Sequence, residues 1–327
     1  MGTAPPARDS VGAVYPGAEP PPDGLALVHE EGRSLRAAWH GNELLRYVYR
    51  PWEPQLESPR PYLHPLRTLD GDVVSLYRPH DHVWHKGIAW SLSNVGPENF
   101  WGGVSYTRAD GYRQLPNNGR MRHDGFDALG VHDGVLRFDE RLTWVTQAGA
   151  AWIEERRRVG VAVLPGAGAW QLAFRTTMRN VSGAAIPLGS PTTSGRDNAG
   201  YSGLFWRGPR SFTGGAVLMP DGEGGDELMG VRGPWLAFTG RHDGHGRSST
   251  LVFVDHPANL EYPTRWFVRS QPFACVCPAP FFSREYPLAD GDELTLRYDA
   301  FVAGGALDRT ACADLAGRAA ELQPAPE

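Results

Sequence analysis

Apolar and polar residues alternate one by one along much of this chain, which is the period of a strand with one face buried. The pattern predicts strands at Leu25-Ala26-Leu27-Val28-His29 and at Leu44-Leu45-Arg46-Tyr47-Val48-Tyr49. It is longest over 135–145 and resumes over 152–161, with the turn signal Gln147-Ala148-Gly149 between, so these two runs predict a hairpin. Further strands are predicted at 169–179, 235–240, 249–255, 266–269 and 293–303, separated by long Gly- and Pro-bearing connections, notably 187–234. The one predicted helix runs from Asp308 to Leu322, with Asp308 as its cap and Leu315, Ala319 and Leu322 on one face. No fixed-period repeat or heptad is seen, and strands do not alternate with helices. The expected fold is therefore all-β. At this length it is a large two-sheet antiparallel β-sandwich of the supersandwich type with a short C-terminal helix.

Composition changes this picture little. The chain has 327 residues, with 41% hydrophobic and 21% charged, as a globular protein requires. Residues 1–22, rich in Pro, Gly and Ala, are expected to form a flexible tail, leaving 23–327 as a single domain. A net charge of −5 without a basic stripe argues against nucleic acid as a partner. No run approaches the ~18 apolar residues of a membrane span, and the N-terminus reads as neither signal nor anchor, so a cytoplasmic location without membrane contact is expected. Cys275, Cys277 and Cys312 form no disulfide framework. The 11 tryptophans exceed the needs of a core and suggest pocket walls.

Chemistry concentrates in three segments. In Arg78-Pro79-His80-Asp81-His82-Val83-Trp84-His85-Lys86-Gly87, three of the 11 histidines fall within six residues. Pro79 and Gly87 can bound a helical turn that places His82 and His85 on one face. A general acid or base would use one imidazole oriented by Asp81. A metal site would use two, with His64 as a third ligand. Lys86, the only lysine in the chain, is either a reflection of overall arginine usage or a functional amine. The Gly-rich loop 189–208 carries Arg196, Tyr201, Trp206 and Arg207; its arginines suit carboxylates or vicinal oxygens. The third segment, 255–269, offers Asp255 at a strand end, with Asn259, Trp266 and Arg269 as an amide, a stacking ring and a cation. A smaller patch, Glu98-Asn99-Phe100-Trp101-Gly102-Gly103, reads as a turn with Trp101 as a pocket wall.

At these residues the chain resembles an uncharacterised bacterial family labelled PmoA-like, over roughly 25–305. The resemblance is carried by Arg60-Pro61-Tyr62-Leu63-His64-Pro65, Asp81-His82-Val83-Trp84-His85-Lys86-Gly87 and Asn99-Phe100-Trp101-Gly102. It continues through Gly195-Arg196, Trp206-Arg207-Gly208-Pro209, Asp255-His256-Pro257-Ala258-Asn259 and Trp266-Phe267-Val268-Arg269. A membrane monooxygenase subunit, which that label suggests, would need spanning helices that this chain lacks. The layout is also similar to galactose-mutarotase-like supersandwiches, whose enzymes act on sugars with a histidine and a carboxylate on a concave sheet; the mutarotase motifs themselves do not match. Members of the PmoA-like family resemble companions of sugar-catabolic oxidoreductases, which implies a carbohydrate substrate.

These observations lead to a carbohydrate-active enzyme, an isomerase, epimerase or lyase acting on a sugar or oxidised sugar. His82 and His85, with Asp81 or Asp255 as the complementary carboxylate, are the expected catalytic groups. His64, Arg78, Trp101, Arg196, Tyr201, Trp206, Asn259, Trp266 and Arg269 are the expected substrate contacts. No cofactor is expected, a divalent metal on the histidines being the alternative. A non-catalytic sugar-binding module is the rival from another class.

Overall fold

The computed structural model describes residues 23–319. Two antiparallel sheets face each other. The first has eight strands in the order Leu25–Glu30, Ser34–Trp39, Asn42–Val48, Tyr62–Leu66, Ile88–Ser91, Gly203–Arg207, Cys275–Ala279, Arg265–Arg269. The second has nine, in the order Gly222–Gly224, Ala216–Met219, Trp235–Arg241, Ser248–Asp255, Glu293–Gly304, Ala169–Asn180, Ala151–Leu164, Val135–Val145, Arg120–His132. The chain is thus an all-β sandwich. The expected tail at 1–22 and Leu322 lie outside the described residues.

The hairpin read from the sequence forms with Val145 opposite Ala151 and Val135 opposite Ala162. Gly149 closes its turn at φ 95°, a backbone conformation open to glycine. Strand alternation then divides the side chains between layers. Leu251 and Phe253 point between the sheets, while Val252 and Val254 point outward, beneath the helix Arg309–Gly317. Cys312 and Leu315 cover that outer patch, and Asp308 caps the helix by accepting from the Ala311 N–H at 2.8 Å.

The connection expected over 187–234 is instead threaded by strands, one of them, Gly203–Arg207, in the middle of the eight-stranded sheet. All five of its residues are buried. Leu204 and Trp206 enter the core between the sheets, and Phe205 enters a second apolar cluster on the outer face. A strand covered on both faces shows no polar–apolar alternation, so the period-2 signal vanishes. Cys275–Ala279 is buried throughout in the same way.

Trp206 is fully buried in the core and its Nε1 donates to the Val74 carbonyl at 2.8 Å. Trp206→Ala should cost about 3–5 kcal/mol, read from the urea midpoint at unchanged slope. A loss below ~1 kcal/mol would mean that this side chain is not a core element.

Candidate functional site

The outer face of the eight-stranded sheet carries a cavity of about 440 Å³. Phe205 and Phe267 rise into it from two strands, Tyr112 from the short hairpin strand Gly111–Arg113, and Trp84, Trp101, Tyr201 and Phe273 wall it from loops. Its polar groups are His82, His85, Arg196 and Arg269, with the hydroxyls of Tyr112 and Tyr201. Mostly apolar walls with a few convergent polar groups are the usual make-up of a small-molecule site.

The imidazoles come from a loop closed at its base by the bridge between Tyr77 and Lys86 and by the Arg78 N–H donating to the His85 carbonyl at 2.9 Å. Within it, two successive turns form, His82 N–H to the Pro79 carbonyl and His85 N–H to the His82 carbonyl, each 2.9 Å. Gly87 ends the loop at φ 55°, and a Cβ there would lie 2.1 Å from the Leu63 carbonyl oxygen, so only glycine fits. Buried ions anchor the loop from below. Lys86 meets Glu53 at 3.1 Å and also bonds Glu57, while Arg78 grips Glu57 with two bonds of 3.0 and 2.7 Å. Burial lowers the Lys86 amine and the two carboxylates oppose that shift. The sole lysine therefore ties down the loop and does not line the cavity. Arg60, buried, donates to the Trp84 carbonyl at 2.9 Å and to Ser91 Oγ at 2.6 Å.

His82 and His85 stack with centroids 4.8 Å apart and planes at 20°. His82 Nδ1 lies 3.0 Å from Asp81 Oδ2. Asp81 also accepts from Arg210 Nη2 at 2.6 Å. Burial would raise its carboxyl, but bonds from His82, Arg210 and its own N–H, with the Arg207 charge, hold it far below the usual range. His85 is pushed the other way. Its burial, then the charges of Arg207, His82 and Arg60, hold it well below the usual imidazole value, against the pull of Asp81. It is neutral at physiological pH.

At the opposite wall, Arg196 bonds the Tyr112 hydroxyl and lies 4.7 Å over its ring. Tyr112 in turn shares a 2.8 Å hydrogen bond with Tyr201. Arg269 stands two residues from Phe267 on the same strand face, 3.9 Å from Asp226. Asn99 shapes the neighbouring turn by accepting from the N–H groups of Trp101 and Gly102 at 2.8 and 2.9 Å. A Cβ on Gly103 would come within 2.7 Å of the Trp84 ring, so this glycine seats that wall.

Of the residues singled out from the sequence, His82, His85, Trp101, Arg196, Tyr201 and Arg269 line the cavity, and Asp81 stands behind His82. The others are placed elsewhere. Trp206 and Trp266 are fully buried between the sheets; their neighbours Phe205 and Phe267 are the cavity rings. Choosing the larger aromatic selected the wrong face of each strand, a shift of one residue. His64 bonds Ser75 Oγ at 2.8 Å and stacks on Tyr77, and Arg78 is held by Glu57. A His64–His82–His85 metal centre is therefore not assembled, and among the described residues no group of three or more His, Cys, Asp or Glu is placed to hold a metal ion. Asp255 accepts from Asn259 Nδ2 and the Thr264 N–H, each 2.8 Å, and from the His256 N–H at 3.0 Å. It shapes the loop 256–264, and Asn259 bonds the Arg297 backbone from the same loop. Arg207, read from the sequence as one of the two loop arginines suited to ligand oxygens, is instead fully buried and bonds His85 Nδ1 at 3.2 Å. Tyr112 and Phe273 lay in segments without a pattern.

Fold and site together define an all-β sandwich with an aromatic-walled, imidazole- and guanidinium-bearing cavity on one sheet. The chain belongs to a family of unknown function, DUF6807, whose model matches residues 34–317. No curated protein matches it. Among solved structures it is similar to the GH36 α-galactosidase AgaA from Geobacillus stearothermophilus, at 12% identity and a TM-score of 0.35, covering 87% of this chain and 40% of that one. It is also similar to the galactosidase domain of the α-galactosidase–sucrose kinase AgaSK, at 11% identity and a TM-score of 0.34, covering 86% and 41%. The chain thus spans about two fifths of the length of these two structures.

The position of Asp255 has a consequence for stability. Burial, partly offset by bonds from Asn259, Thr264 and His256, raises its carboxyl to about 6. The folded protein then holds a proton there more tightly than the unfolded chain, whose carboxyl titrates near ~3.9. Over this window the group favours folding more as pH falls. Denaturant titrations at about pH 4 and pH 7 should show wild type gaining on Asp255→Asn by on the order of 2–3 kcal/mol toward the acid side. A difference independent of pH would mean that the folded carboxyl titrates as in the unfolded chain.

Proposed function

We propose that this protein is a carbohydrate-active enzyme, an isomerase or epimerase or else a lyase, that moves a proton on an oxidised sugar by imidazole chemistry. The observation that carries this reading is the Asp81–His82 bond beside the stacked His85 at a cavity wall. A carboxylate on Nδ1 orients the ring and leaves Nε2 to exchange a proton with a ligand. The aromatic faces suit the C–H faces of a sugar ring. Arg196 and Arg269 favour a ligand with a carboxylate, since no Asp or Glu is among the residues lining the cavity. That same charge pattern argues against glycoside hydrolysis, which needs two carboxyl groups flanking the scissile bond. A non-catalytic sugar-binding module would use the same rings and arginines but would have no need of the Asp81–His82 pair.

A panel of uronates, aldonates and keto-sugars, with their neutral counterparts, should yield a ligand that raises the unfolding temperature. Proton transfer on that ligand is then read as deuterium incorporation from heavy water. His82→Ala should slow incorporation ~10²–10⁴-fold, with stability within about 0.5 kcal/mol of wild type because the ring is half exposed. Binding without incorporation in wild type would favour the module; incorporation unchanged in His82→Ala would remove the histidine from the mechanism.

A further inference from the structure

The partners of the two stacked rings differ in kind, and this fixes where each ring carries its proton. Asp81, an ionised carboxylate, can only accept, so Nδ1 of His82 bears the hydrogen and its Nε2 carries the lone pair. Arg207 can only donate, and its Nη1 stands 3.2 Å from His85 Nδ1. There Nδ1 holds the lone pair, and the neutral ring carries its hydrogen on Nε2. Arg207 is itself fixed: it is fully buried, lies 3.7 Å over the Phe273 ring, and stands 3.7 Å from Asp81. Among the described residues, no protein group hydrogen-bonds Nε2 of either histidine, and both rings line the cavity.

We infer that the two imidazoles are locked in opposite tautomers, so that the cavity takes a carbonyl compound with an acidic C–H beside the carbonyl, His82 acting as base and His85 as a neutral hydrogen-bond donor to the carbonyl oxygen. Arg207 is then a positioning residue, acting through His85 and standing beside Asp81. This rests on the acid–base reading above and assigns its roles. In the step, Nε2 of His82 takes the proton from the carbon next to the carbonyl. The C–H electron pair becomes the new C=C bond, and the carbonyl π pair moves onto oxygen, where the Nε2–H of His85 meets the growing charge. The His82 imidazolium, held by Asp81, returns the proton to carbon, so no oxidant or other co-reactant is consumed. Neutral imidazole is the better donor for this purpose because its remaining N–H is far less acidic than that of imidazolium, and so matches the oxyanion without surrendering its proton.

The tautomers are measurable in the ligand-free protein by long-range ¹⁵N–¹H correlation spectra, in which protonated and lone-pair ring nitrogens are well separated. Signals are assigned by difference against His82→Gln and His85→Gln. The expected result is a neutral His85 bearing Nε2–H at physiological pH, and Nδ1–H for neutral His82. Arg207→Met should let His85 populate both tautomers and titrate at higher pH, and Arg207→Lys, which restores a donor, should return it toward Nε2–H. Should Arg207→Met not fold, the wild-type spectrum still decides: a His85 bearing its proton on Nδ1, or charged at neutral pH, overturns the inference and leaves a His82-dependent proton transfer standing. Locked tautomers with deuterium incorporation intact in both His82→Ala and His85→Ala would instead sink the acid–base reading, and the inference with it.

Discussion

Glu57 is the ion on which the site depends. It is buried, yet it accepts two bonds from Arg78 and one from Lys86, and its backbone carbonyl accepts from Arg60 at 3.0 Å. An isolated carboxylate at such a depth would be costly, and here three cations compensate it. Burial pushes its carboxyl up, but the bonds and charges of Arg78 and Lys86 bring it below the ordinary value. Each of those cations is also a piece of the histidine loop or holds it: Arg78 and Lys86 flank it, and Arg60 takes the Trp84 carbonyl in its middle. This buried anion, with Glu53 beside it on Lys86, thus sets the position of a segment that has no regular secondary structure to hold it. Well-satisfied buried ions of this sort contribute geometry more than net stability.

The sheet imposes the second constraint. Its middle strands must be apolar on both faces, because one face meets the opposing sheet and the other meets the loops that enclose the cavity. Phe205, Phe267, Cys275 and Cys277 belong to that outer face, and the loops bearing Trp84, Trp101 and Tyr201 close over it. Burial of the two cysteines raises their thiols, Cys275 to about 12, so they pack as small apolar groups and not as nucleophiles. A rigid, doubly covered sheet beneath loop-borne polar groups is a common way to hold a site still while leaving its chemistry on segments free to vary.

The strands most legible in the sequence are the long ones with one polar face, such as Val135–Val145 and Ala151–Leu164 at the far side of the nine-stranded sheet. Four strands of the other sheet were not: Tyr62–Leu66, Ile88–Ser91, Gly203–Arg207 and Cys275–Ala279 are short and lack alternation, whereas Arg265–Arg269, which brings Phe267 and Arg269 to the cavity, was read at 266–269. Site residues divide the same way. The histidine cluster was legible because imidazoles rarely crowd without cause, and the pairing of Asp81 with His82 followed from adjacency. What lay behind it was not. Arg207 reaches His85 across 122 positions, and Tyr112 reaches Arg196 across 84. Nothing local marks either contact. Asp255 had the look of a catalytic carboxylate at a strand end, but turn formation selects the same residue in the same place, and in the structure it accepts three bonds from its own loop and is not among the residues lining the cavity.

Charge distribution adds the last step. The chain as a whole is acidic, at −5, yet Arg196 and Arg269 reach the cavity without a carboxylate among its lining residues. Arg196 spends a hydrogen bond on a phenol, and Arg269 has its nearest carboxylate at 3.9 Å, outside direct contact. Elsewhere the arginines are matched closely, as with Arg78 and Glu57, or Arg157 and Glu155 at 2.8 Å. Two loosely matched guanidiniums that line the cavity with a neutral His85 make the local field positive. The low-dielectric aromatic walls strengthen that field over what the same charges would give in water.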